Sequence, residues 1–122
     1  MRFPASDGEF VLIHNPGCSK SRAVKAMLEE RGIAHRELRY LDDPLTVAEL
    51  EDLAVRLAQP PVAWVRSGEP AYREAQLGSQ SSAADVIAAM AEHPSIIQRP
   101  ILMRGSRARV GRPPEQVLEL FD

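Results

Sequence analysis

The stretch from Phe10 to Arg22 limits the fold of this chain more than any other. Four apolar residues, Phe10-Val11-Leu12-Ile13, end at the turn residues Asn15-Pro16-Gly17, and a lone cysteine, Cys18, follows at once. A continuous apolar run of that length between turn signals suits a buried strand. Beyond it Val24, Met27 and Leu28 recur at helical spacing and Gly32 offers a stop, so a helix is expected from about Ser19 to Arg31. A weaker alternation over His35–Leu41 reads as a second strand. Strand, helix and strand in this order begin a βαβ unit.

The remaining signals are local and chemical. Thr46 followed by Glu49 is a capping-box pattern, in which each side chain satisfies the other's free amide. Behind it Val47, Leu50, Leu53, Ala54 and Leu57 form one apolar face that Pro60-Pro61 closes. Ser82 with Asp85 opens a further helix carrying Val86, Ile87, Met90 and Ala91, stopped at His93-Pro94. Ile101–Met103 and Arg107–Val110 read as a hairpin around Gly105-Ser106. Pro113 and Pro114 suit the first turn of a last helix with Val117, Leu118 and Phe121 on its face. A βαβ unit followed later by a ββα unit is the order of a thioredoxin-like α/β fold: a small mixed sheet, helices on both faces, and an inserted helical region. Residues 1–9 read as a flexible leader and 10–122 as a single domain.

Composition narrows the function. The 44% hydrophobic and 26% charged fractions are those of an ordinary globular protein. Uninterrupted apolar stretches reach only six residues, as in Val86–Ala91, so no membrane span is expected. The first residues carry no apolar stretch behind Arg2, and a cytoplasmic location is the expectation. A net charge of −2 speaks against nucleic-acid binding, and a single cysteine excludes an internal disulfide, a CxxC pair and a multi-cysteine zinc site. His35 and His93 have no acid or cysteine at ligand spacing, so no metal site is expected. The thirteen arginines outnumber the two lysines, and between Glu92 and Glu115 five arginines occur without one acid. Such a cluster is exposed, paired at a distance, or gathered for an anion.

Cys18 is where those hints meet. Free amides and the dipole at a helix N-terminus stabilise an anion, and a thiolate is one. A cysteine pKa of about 8.5 falls to roughly 3.5–7.5 in such settings. Lys20, Arg22 and the hydroxyls of Ser19 and Ser21 add charge and donors, and the same amides can hold an oxyanion. Against this stands the ordinary role of a lone cysteine as a small buried hydrophobe. Both readings stay open on position alone. His14 likewise reads as a strand-end residue or as a group tuning the thiol.

Each arginine, taken singly, reads as surface charge. Arg104, Arg107 and Arg109 sit in or beside the hairpin turn and look solvated. Arg99 and Arg112 each precede a proline, which holds their backbone extended, and Arg66 ends the short apolar turn Trp64-Val65. Three such arginines near one thiolate would clamp a doubly charged tetrahedral oxyanion by bidentate contacts.

The run His14-Asn15-Pro16-Gly17-Cys18-Ser19-Lys20-Ser21-Arg22, with Tyr40-Leu41 and Pro44, Val65-Arg66, His93-Pro94, Ile97-Gln98-Arg99-Pro100-Ile101 and Gly111-Arg112-Pro113-Pro114-Glu115, resembles the glutaredoxin-linked arsenate reductases of ArsC type. The resemblance covers residues 10–121. It implies that Cys18 attacks arsenate to give a thiol-arsenate adduct, that glutathione adds to it as co-substrate, and that glutaredoxin removes the glutathione as arsenite is released. It implies no bound cofactor. Arg66, Arg99 and Arg112 match the arginines that bind and neutralise the oxyanion, His14 the histidine beside the nucleophile, and Ser21 the hydroxyl that can donate to the thiolate. Asn15 and Ser19 complete the candidate substrate contacts. The thioredoxin-like topology favours a cis Arg99-Pro100 bond, with Pro100 facing Cys18 and Arg99 aimed at it. The same superfamily holds general glutathione-dependent thiol reductases and Spx-type partner-binding regulators. Those regulators generally carry CxxC, and here Ser21 stands three places after Cys18.

Overall fold

A computed structural model describes residues 2–121. The strands are β1 (Phe10–Ile13), β2 (His35–Leu38), β3 (Ile101–Arg104) and β4 (Arg107–Val110), in the spatial order β2-β1-β3-β4. β1 pairs parallel with β2 and antiparallel with β3, Ile13 lying opposite Ile101 and Phe10 opposite Arg104. β3 and β4 form the expected hairpin, Ile101 opposite Val110. This is the mixed α/β sheet of a thioredoxin-like fold.

The two central strands explain the continuous apolar runs in the sequence. All four residues of β1 are buried, as are Ile101, Leu102 and Met103 of β3, because inner strands are covered on both faces. Phe10, Leu12 and Leu102 meet Val24 and Leu28 of helix α1 (Ser19–Glu30) together with Val117 and Leu120. Each such side chain contributes about 1.5–3 kcal/mol on leaving water. α1 ends where Gly32 takes a positive φ of 65°.

The chain divides into two compact units where the sequence suggests one domain: residues 1–43 with 99–122, and the insert 44–98. The insert is helical. Its helix α2 (Val47–Leu57) starts with the capping box read from Thr46 and Glu49 and buries Leu50, Leu53 and Leu57. It packs on α4 (Ala83–Glu92), which buries Val86, Ile87, Ala89 and Met90; a five-residue helix, α3 (Pro70–Glu74), lies between them in sequence. Trp64 is wholly buried, and Val65 bridges Ile97.

Three expectations need correction. Residues 2–9 are not a loose leader: Phe3 is buried, Arg2 pairs with Asp43, Glu9 pairs with Arg36, and the Asp7 carbonyl accepts from Arg104 Nε at 3.2 Å. Gly105, at φ 55°, makes room for that segment, since a Cβ there would lie 2.8 Å from Asp7 Cα. The last helix, Pro114–Leu120, is 3-10 rather than α, and it buries Val117 and Leu120 while Leu118 is exposed. That spacing of three is the 3-10 repeat. Finally, Arg104 is not solvated charge, because its Nη1 also donates to the Leu120 carbonyl at 2.9 Å and its guanidinium covers the Phe10 ring at 5.1 Å.

No helix among the described residues is long and apolar enough to cross a membrane.

Candidate active site

Three segments leave the sheet at one end: His14–Cys18 after β1, Arg99-Pro100 before β3, and Gly111-Arg112 after β4. The first of them is a tight loop tied to itself. Asn15 Oδ1 accepts from the Gly17 N–H at 2.9 Å, the Asn15 carbonyl accepts from the Cys18 N–H at 3.0 Å, and the Pro16 carbonyl accepts from Arg22 Nη1 at 2.9 Å. These bonds deliver Cys18 in extended conformation to the N-cap of α1.

A buried polar pair sits under the loop. His14 is 2% exposed, and its Nδ1 lies 2.7 Å from Ser21 Oγ, which also accepts from the Asn15 N–H at 3.0 Å. Burial lowers the His14 pKa, with Glu37 pulling the other way, so the ring is held neutral. Ser21 therefore spends its hydroxyl on His14 and Asn15, and it is the Ser21 backbone N–H that meets the thiol. Ser19 opens the helix with its side chain exposed.

Cys18 is half-buried, which by itself pushes its pKa up. The Ser21 N–H, the Arg99 side chain, the Lys20 N–H and the Arg99 charge outweigh that effect and hold the thiol at about 7. A substantial thiolate fraction at neutral pH follows, and the thiolate is the nucleophilic form. Arg99-Pro100 is cis, and so is Arg112-Pro113. Arg112 Nη1 donates to the Arg99 carbonyl at 3.0 Å.

Cys18, His14, Asn15, Ser21, Arg99 and Arg112 thus share one unit of the fold. Arg66 belongs to the helical insert. Its backbone N–H donates to the Ile96 carbonyl at 2.7 Å, its Nε lies 3.9 Å from Glu69 Oε1, and its buried Nη1 has no hydrogen-bond partner among the described residues. No group of histidine, cysteine and acidic side chains suited to a metal ion occurs among the described residues. Neither the His14–Ser21 bond nor the Arg112 grip on Arg99 is legible in the sequence, since both depend on how the loops fold back.

The pattern of the ArsC family matches residues 13–120. This chain belongs to the ArsC family. An arsenate reductase of Neisseria meningitidis serogroup A is 39% identical over 111 residues, covering 89% of this chain and 95% of that protein. An arsenate reductase of Haemophilus influenzae is 38% identical over 113 residues, covering 91% and 97%. Among solved structures, an arsenate reductase from Vibrio cholerae superposes with a TM-score of 0.87 at 47% identity, covering 93% of this chain and 98% of that one. The ArsC match takes in the cysteine loop from Ile13 onward, the insert and all three arginines.

Proposed function

We propose that this ArsC-family chain is an oxidoreductase that reduces arsenate to arsenite, with Cys18 as nucleophile and glutathione and glutaredoxin as the source of electrons. The observation that carries the reading is the Cys18 thiol, held at about 7 by two helix N-terminal amides and the Arg99 guanidinium. The same donors suit a tetrahedral oxyanion, so nucleophile and anion meet at one place. Similarity to arsenate reductases along nearly the full chain supports the substrate.

The chemistry balances as follows. The Cys18 sulfur bonds to arsenic and one arsenate oxygen leaves as water. A glutathione thiol then supplies the second sulfur: a Cys18–glutathione disulfide forms as the sulfur–arsenic bond breaks, and its electron pair takes arsenic from the pentavalent to the trivalent state. Glutaredoxin removes the glutathione and restores Cys18. With one cysteine in the chain, no internal disulfide can do this, so an external thiol is required. Arg99 neutralises charge beside the sulfur, and Arg112, whose Nη1 holds the Arg99 carbonyl, adds a second guanidinium to the clamp; Arg66 is assigned to oxyanion binding by the family resemblance alone. The cytoplasm, where such thiols stay reduced, is the fitting compartment.

The test is arsenate-dependent NADPH oxidation with glutathione, glutaredoxin and glutathione reductase. The native chain should turn over and Cys18→Ser should not. Absence of turnover in the native chain with several glutaredoxins would overturn the arsenate reading in favour of a thiol reductase of another substrate.

A further inference from the structure

We propose that Arg112 is a positioning residue for Cys18: its guanidinium holds the Arg99 carbonyl and thereby keeps the Arg99 guanidinium against the thiol. The proposal takes Cys18 as the nucleophile of the function above, and it gives Arg112 work to do before any oxyanion arrives.

The geometry is a chain of direct contacts. Just past the last β3–β4 pair, Ile101 with Val110, the Gly111 N–H donates to the Pro100 carbonyl at 2.8 Å. One residue further, Arg112 Nη1 donates to the Arg99 carbonyl at 3.0 Å. Pro100 and Pro113 have no N–H, so neither can donate where the two segments diverge, and the guanidinium supplies the donor. Gly111 is wedged into the same place: a Cβ on it would stand 2.8 Å from Val24 Cγ2 and 2.9 Å from Pro100 Cγ. Val24 belongs to α1, the helix that Cys18 caps. The Gly111-Arg112 segment therefore touches both the helix that carries the sulfur and the peptide that carries its cationic partner. Arg99 in turn acts on the sulfur by hydrogen bond and by charge, whereas Arg112 is not among the groups with a leading effect on it. A carbonyl takes only part of a guanidinium's five N–H donors, so this role leaves Arg112 donors for an anion.

The experiment is a double-mutant cycle read on the thiol, in buffer free of arsenate and phosphate. Alkylation of Cys18 by iodoacetamide is followed against pH for the full native chain, Arg99→Met, Arg112→Gln and the double variant, with circular dichroism to verify folding. Arg99→Met should raise the midpoint by about one pH unit, which slows alkylation about tenfold below the midpoint. Arg112→Gln should reproduce most of that rise, and in the Arg99→Met background it should add nothing, because the effect passes through Arg99. A native midpoint in Arg112→Gln, or a shift that adds to that of Arg99→Met, overturns the proposal. Should Arg112→Gln fail to fold, Arg112→Lys carries the test. Its ammonium is a compact, more strongly hydrated group on a flexible stem and lacks the planar fork, so it should hold the carbonyl less firmly and raise the midpoint part of the way; a native midpoint there overturns the proposal too. A native-chain midpoint at or above 8.5 also overturns it, since no stabilised thiolate would exist to be positioned. Failure of the arsenate reading shows separately, as missing NADPH oxidation with the alkylation cycle intact.

Discussion

Arg99 and Arg104 stand just before and at the end of one four-residue strand, and the sheet carries them to opposite ends. At one end Arg99 meets the Cys18 sulfur, and its own carbonyl is held by Arg112. At the other end Arg104 lies over the Phe10 ring at 5.1 Å and donates to the carbonyls of Asp7 and Leu120, while Arg31 covers the Phe121 ring at 5.2 Å. The two rings pack edge to face, 6.1 Å apart. One end presents a guanidinium to a titrating group that can react. The other uses guanidinium planes as lids over aromatic edges, tying the N-terminal segment and the last helix to the sheet. A run of five arginines without an acid is one patch in the sequence and two different devices in the fold.

The largest expected effect breaks the first of these devices. Arg99→Met should cut arsenate turnover by about 100-fold or more, the usual cost of removing one preorganised donor from developing negative charge. Its melting temperature should stay close to native, because Arg99 is only partly buried and is not one of the apolar core residues. Turnover within threefold of native would detach Arg99 from the chemistry.

Arg104→Met makes the opposite cut. It removes a cation–π contact and two hydrogen bonds to carbonyls, each worth roughly 0.5–1.5 kcal/mol. We expect about 1.5–4.5 kcal/mol less stability in urea unfolding, with turnover and the Cys18 alkylation midpoint unchanged. A change in the midpoint would show that the two ends of the sheet communicate, and the contrast drawn above would fail.

The residues that were legible in the sequence are those whose signal is local. The Phe10–Ile13 strand, the helix from Ser19, the Thr46–Glu49 capping box and the hairpin at Gly105 each declare themselves within a few residues. So does the placement of Cys18 at a helix N-terminus. What sequence reading missed depends on contacts between distant segments. Phe3 is buried in a segment that Arg36 holds through the Phe3 carbonyl and that passes against Gly105 at Asp7. The helix Pro70–Glu74 is too short to show a period, and the Val65–Ile97 bridge joins residues with no sequence signature of pairing. At the site, the Ser21 hydroxyl read as a donor to the thiolate is engaged by His14, seven residues away, and its backbone N–H takes that place. Side-chain chemistry named the residues, but loop geometry assigned their atoms.

The smallest effect separates the two ends by pH. In the folded chain the Cys18 thiol is held at about 7, below the ordinary cysteine value of about 8.5. Between those values the unfolded chain still holds a proton that the folded chain has released, so stability rises with pH across this interval. The stabilisation is complete above the unfolded value and is lost as pH falls through the folded one. The difference in melting temperature between the native chain and Cys18→Ser should therefore move in favour of the native chain from pH 7 to pH 9. Arg104 donates to two backbone carbonyls and covers a phenyl ring, and none of these three groups titrates. The deficit of Arg104→Met should accordingly be the same at both pH values. Thermal unfolding of the three proteins at pH 7 and pH 9 decides the matter. A flat difference for Cys18→Ser would mean that no thiolate is stabilised by the fold, and the contrast between a reactive end and a packed end of the sheet would lose its electrostatic basis.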